Sequence, residues 1–234
     1  MWRIAVSANA QDTMSSLRAK FKALPPEQKG ANQSFAIRIH RALSWMERAG
    51  KQQDLETRFI YAWIAFNALY GQARKGLPTA RSQGLYGGGD RSEYVDFLNK
   101  LARLDSQRLM AEATRIRAFL VRLVGYKYLY FCYWRDMPDW PESLQADVGK
   151  FGRAMESRRV AHVLSLVFDR LYTMRLQLFH GGATFGSRVN RESVKLAEMI
   201  INQVIPPILE VMIDHGLAED WGEFAYPPRD QPPR

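Results

Sequence analysis

Apolar residues recur along this chain at spacings of three and four, the period of one helix face, from about Thr13 to about Gly216. No stretch shows strand alternation between hairpin turns, and no internal repeat is visible. The pattern predicts an all-α chain. A first amphipathic helix over residues 13–24 stops at Pro25 and Pro26, and a polar loop follows at 27–32. The second helix covers 34–50. Ile37, Ile39, Leu43 and Met46 supply its apolar surface, while Arg38, Arg41 and Arg48 are expected in solvent. A third helix, capped by Asp54 and ended by Gly71, is apolar nearly all round after Arg58, as a central bundle helix is. Asn67 is its exception. A buried amide needs partners, so Asn67 either ties two helices together or faces a polar site.

Asp90 with Glu93 resembles a capping box and opens a helix over 90–104; another covers 107–124. A short helix after Pro138 and Pro141 ends near Gly149 or Gly152. A long helix then spans 156–180, with Val160, Val163, Val167, Leu171, Met174 and Leu178 as its buried stripe. Asn190 caps a last helical stretch that reaches His215 and Gly216, with a break or kink at Pro206 and Pro207. Residues 217–234 read as an extended or disordered tail. The expected organisation is one helical domain over 1–216, with 1–33 as an N-terminal helix and loop. A Gly-rich loop at 72–89 carries Arg74, Lys75 and Arg81. It lacks the Gly-Lys-Ser/Thr ending and the preceding strand of a P-loop, and reads as a flexible insertion whose charge also suits a backbone phosphate.

Composition narrows the partner. The 234 residues are 47% hydrophobic and 24% charged, enough to bury a core. The formal net charge of +9 favours a polyanion, nucleic acid before an anionic membrane surface. Cys132 is the single cysteine, which excludes an intrachain disulfide and a cysteine cluster for zinc. The opening residues lack the apolar core of a signal peptide, and the longest apolar run, 59–70, is too short to span a bilayer. A soluble, cytoplasmic protein without cofactor, metal or membrane is expected. Between Gly125 and Asp136, six aromatics interleave with Lys127 and Arg135. Such residues stack bases and hold phosphates, but the expectation is a core with tyrosine hydroxyls at its surface.

The stretch RLYTMRLQLFHGG, 170–182, gathers the candidate chemistry. Gly181 and Gly182 end the long helix and place His180 at its rim. Arg175 lies five residues earlier, about 140° away around the helix, so the two cations flank a groove without closing it. Histidine as a residue type transfers protons near neutrality, and arginine offers a charged fork to phosphate oxygens. Metal-free RNA cleavage needs both: deprotonation of the 2′-hydroxyl, charge stabilisation at phosphorus and protonation of the leaving 5′-oxygen. One histidine cannot make both transfers in one step. A two-fold dimer would bring two copies of each residue to one groove. The same pair also fits an ordinary histidine favoured by the dipole at a helix C-terminus.

The R-x4-H arrangement of Arg175 and His180, with Tyr172 before it and Gly181-Gly182 after it, resembles the signature of HEPN domains. The segment FIYAWIAFNALYG, 59–71, resembles the central helix of prokaryotic HEPN-like proteins. The resemblance implies an antiparallel helical bundle, here with additional helices and the Gly-rich insertion, that dimerises with its motifs face to face. It implies a metal-independent endoribonuclease of toxin–antitoxin or antiphage-defence systems, with an antitoxin or defence-system partner. Arg175 and His180 would be catalytic; Tyr172 and Asn67 would support substrate binding. Two positions depart from the pattern. Leu176 follows the arginine where many HEPN nucleases have a polar residue. Gly182 stands where one toxin subgroup has a tyrosine modified by a partner nucleotidyltransferase, which argues against that form of control. The alternative expectation is a non-catalytic HEPN-fold module that binds RNA or protein.

Overall fold

In the computed structural model, which describes residues 7–72 and 88–223, Asp54 accepts a hydrogen bond from the Thr57 amide at 2.7 Å. That cap starts helix α4 (Leu55–Tyr70). The order is α1 (Ser7–Ala23), α2 (Pro26–Ala31), α3 (Gln33–Gly50), α4, α5 (Gly88–Arg115), α6 (Arg117–Val124), a 3₁₀ turn (Lys127–Leu129), α7 (Phe131–Trp134), α8 (Trp140–Glu156), α9 (Val160–Phe179) and α10 (Arg191–His215). The fold is all-α, with no strand among the described residues.

Pairings across α4 fix its neighbours. Trp45 of α3 meets Tyr61 at 5.3 Å, while Arg38, two turns earlier, reaches the carbonyls of Leu69 and Gly71, so α3 and α4 run antiparallel. On another side Phe66 stacks on Phe168 at 3.9 Å and Trp63 meets Tyr172 edge-on at 5.9 Å, which sets α9 antiparallel as well. Fully buried Phe59, Phe66, Phe168, Ile200 and Ile208 join α4, α9 and α10 in one core. The expected stripe on α9 is buried from Val160 to Met174, and Leu178 at its end is half-buried.

Several expectations are corrected by geometry that periodicity does not carry. Residues 26–31 form α2 instead of a loop, because Pro26 at its first turn already has the helical φ and needs no donor there. The break expected between 104 and 107 is present: Asp105 leaves helical geometry (φ −153°, ψ 79°) and its carboxylate recaps the chain by accepting from the Arg108 amide at 2.9 Å. A second break, at Ile116, divides the helix expected over 107–124. Helix α8 continues past Gly149 and Gly152 to Glu156. Helix α9 begins only at Val160, after a turn in which Arg158 has φ +53°. Pro206 and Pro207 do not break α10. They forfeit helix hydrogen bonds, but Ile205, Ile208 and Leu209 beside them are fully buried, and that packing wins. Length and composition would let α10 cross a bilayer, yet 72% of its apolar window is buried in the bundle.

Arg38, expected in solvent, is 1% exposed. Its guanidinium donates to the carbonyls of Leu69 and Gly71 at the end of α4 and to those of Gly222 and Glu223. Burial lowers its pKa to about 10, so it stays charged at neutral pH. The non-helical residues 217–223 are thereby docked on the bundle. Asn32 donates to the carbonyls of Leu217 and Glu219, and Trp221 is buried against Phe97. The basic loop with Arg74, Lys75 and Arg81 and the rest of the tail lie outside the described residues.

Candidate functional site

Helix α9 ends as its glycines predict. The His180 amide donates to Leu176 at 3.0 Å, Gly181 turns at φ +72°, and the Ala183 amide returns to the Gln177 carbonyl at 3.0 Å. The turn leaves His180 exposed, and among the described residues its imidazole has no hydrogen-bond partner. Arg175 is half-buried one and a half turns earlier. Its guanidinium lies over the Tyr172 ring at 5.7 Å and the Phe179 ring at 5.0 Å. Among the described residues no carboxylate pairs with it.

Tyr172 is 4% exposed and wedged between Trp63 and Tyr94. It therefore serves as a floor for Arg175 and presents little surface to a substrate. Asn67 is not brought to the pair. It accepts a hydrogen bond from the Tyr70 hydroxyl at 2.8 Å, one turn along its own helix. It is next to Phe66, which stacks on Phe168, and Phe168 precedes Arg175 by seven residues, about 10 Å along the axis.

Two polar clusters hold α9 and the loop behind it. Asp169 accepts both Arg91 nitrogens at 2.8 Å and the Tyr94 hydroxyl at 2.5 Å, tying α9 to α5. The adjacent Arg170 is fully buried; it donates to the Val124 carbonyl and Asp147 and lies over Tyr130 at 4.4 Å. Below the loop after His180, buried Glu56 accepts from the Gly186 amide at 3.1 Å and pairs with Arg191 at 3.4 Å. Beside it, Arg58 pairs with Glu198 at 2.7 Å; burial pushes the Glu198 carboxyl up, against the pull of Arg58. The sequence reading missed Glu56. Its signal was present: a charge in the first turn of the most apolar helix, where only a partner makes it tolerable.

No family model, curated protein or solved structure compared with the chain matches it.

Apolar side chains are exposed around the pair, interspersed with exposed Thr184 and Arg188. Phe179 is 49%, Phe185 72% and Val189 89% exposed, all on the end of α9 or the loop that follows. The aromatic segment expected as core is divided: Leu129, Tyr130 and Cys132 are buried, Tyr126, Phe131 and Tyr133 are half-buried, and Tyr128 and Trp134 are exposed. Aromatic density alone did not sort these rings, because the backbone is a 3₁₀ turn and a one-turn helix, which hold no single face toward the core. Among the described residues no three His, Cys, Asp or Glu gather as metal ligands would. The helix end offers a guanidinium fork over two rings, with no carboxylate partner among the described residues, and an exposed imidazole on the same turn and a half.

Proposed function

We propose that the protein is a HEPN-type endoribonuclease that needs no metal, with a site completed by two copies of the chain, acting as a toxin or antiphage-defence effector. The observation that carries this reading is the Arg175 guanidinium, held over Tyr172 and Phe179 with no carboxylate partner among the described residues, beside exposed His180. Arginines are mostly paired or solvated; one seated on two rings with no counter-ion among the described residues is prepared for an anion. In the proposed reaction His180 of one copy takes the proton of the ribose 2′-hydroxyl. The 2′-oxygen bonds to phosphorus as the bond to the 5′-oxygen breaks, and His180 of the second copy protonates that leaving oxygen. The two arginines hold the non-bridging oxygens as charge grows on them. Exposed Phe179, Phe185 and Val189 supply apolar surface for the two-fold contact this requires.

The products test the chemistry. This route leaves a 2′,3′-cyclic phosphate and a 5′-hydroxyl, read by mass spectrometry of a cleaved oligoribonucleotide in excess chelator. A 5′-phosphate product would refute attack by the 2′-oxygen.

A further inference from the structure

The surface aromatics beside α9 have no part in that reaction. Tyr126 meets Tyr128 at 5.5 Å, Tyr128 meets Tyr133 at 5.5 Å, and Tyr133 meets Trp134 at 5.4 Å and Trp140 at 5.0 Å, each pair close to edge-on. The rings thus form a continuous ledge instead of closing face to face. Tyr128 is 38% and Trp134 50% exposed. An indole left half in water adds little to folding, so its seat invites another explanation.

The ledge is joined to the candidate site. The Tyr128 carbonyl accepts from Trp134 Nε1 at 2.9 Å and from Gln177 Nε2 at 2.7 Å. Gln177 precedes His180 by three residues, which puts the two about 60° apart on one side of the last turn of α9. Arg175 lies on the other side of His180. The order across the helix end is therefore ledge, Gln177, His180, Arg175.

Charge accompanies the rings. Lys127 lies over Tyr128 at 4.9 Å and Tyr133 at 5.6 Å, and Arg135 lies over Phe131 at 5.4 Å. Among the described residues neither cation pairs with a carboxylate. Asp136 and Asp139 follow Trp134 and Arg135, whereas Lys127 lies on the 3₁₀ turn that packs against α9. A second copy would set Lys127 against like charge, whereas a polyanion gains from it.

We propose that this ledge is a base-stacking subsite for single-stranded nucleic acid: bases rest on Tyr128 and Trp134, Lys127 holds the adjoining phosphate, and the strand continues to His180. It rests on the nuclease reading for its direction, since that reading places the scissile phosphate at the end of α9. Stacking platforms with interleaved cations bind in this way and are tolerant of sequence.

The test measures binding apart from cutting. A fluorescein-labelled twelve-nucleotide RNA without secondary structure is titrated by anisotropy into the full chain carrying His180→Ala. Into that background go Trp134→Ala, Tyr128→Ala and Trp134→Phe. Tyr128→Ala keeps the backbone carbonyl that Gln177 and Trp134 use, so it remains informative should Trp134→Ala disturb the turn. An oligomer of the same length with abasic sites supplies the phosphates without bases. The expected result is roughly a 5- to 100-fold weaker Kd for each alanine variant, near-normal binding by Trp134→Phe, and a comparable loss for the abasic strand on the unsubstituted ledge. Equal affinity of all variants for RNA, or of the abasic and normal strands, would overturn the proposal. So would a change of sedimentation coefficient in Trp134→Ala with RNA affinity intact, which would make the ledge a protein contact. Uncut RNA with wild-type protein, together with Trp134-dependent binding, would refute the nuclease reading and leave the subsite standing.

Discussion

The Arg175 guanidinium rests 5.0 Å from the centroid of the Phe179 ring, one turn further along α9. Phe179 is half exposed, and Tyr172, whose ring lies 5.7 Å from the same guanidinium, is buried. One ring fixes the arginine to the core and the other shields it toward solvent. Removing the outer ring frees the side chain without opening the core. Phe179→Ala is expected to weaken RNA cleavage about 2- to 5-fold, the worth of an exposed cation–π contact. The thermal midpoint should stay unchanged, as circular dichroism would record. Unchanged activity would mean that Phe179 does not orient Arg175.

Glu56 acts on the loop behind His180 through the Gly186 amide and Arg191. Glu56→Ala removes both anchors, whereas Glu56→Gln keeps an acceptor for the amide. Amide hydrogen exchange over residues 183–189 is expected to speed at least tenfold in the alanine variant and far less in the glutamine variant. Equal exchange in both would show that the loop is held by something else.

How much of this was legible in the sequence differs by element. Helix α4 was, because Asp54 and Gly71 bracket a run too apolar to lie on a surface. The end of α9 was, because Gly181 takes the positive φ that few other residues accept. Arg38 was not: an arginine on an amphipathic helix reads as solvated, and only the fold brings four carbonyls from two distant segments around it. Asn67 was misplaced for a related reason. A polar residue in an apolar helix signals a partner but not which one, and here Tyr70 on the same helix supplies it. Tyr172, expected to support substrate binding, is 4% exposed and lies 5.7 Å from the Arg175 guanidinium, a placement that only the fold reveals.

Arg38→Met removes the guanidinium donor of the Leu69, Gly71 and Glu223 carbonyls and leaves that of Gly222 with the Ser34 hydroxyl at 2.7 Å. Urea unfolding should show a loss of about 3 kcal/mol, and Trp221 should become accessible to acrylamide quenching before the global transition. A variant as stable as the parent would mean that water replaces the guanidinium at no cost.

Asp214 pairs with Lys20 of α1 at 2.6 Å and Arg108 of α5 at 2.6 Å. Burial pulls its carboxyl up, but the hydrogen bonds of Lys20 and Arg108 outweigh it and hold the pKa below 3.8. A carboxylate depressed in the fold contributes stability above its unfolded pKa and loses it as pH falls through the folded value. Asp214→Asn should therefore cost about 1 kcal/mol at pH 7, the scale of partly exposed pairs, and the difference should shrink as pH falls below 3.8 and the folded carboxyl takes up its proton. A difference independent of pH would assign the effect to packing.

The central claim is that Arg175 and His180 together cut RNA. The direct measurement is cleavage of a mixed cellular RNA pool by purified protein in excess chelator, with Arg175→Ala and His180→Ala run alongside and shown by circular dichroism to be folded. Cleavage by the wild type that falls at least a hundredfold in each variant is the predicted result. Cleavage that persists in both folded variants, or none by the wild type while RNA still binds, would contradict it.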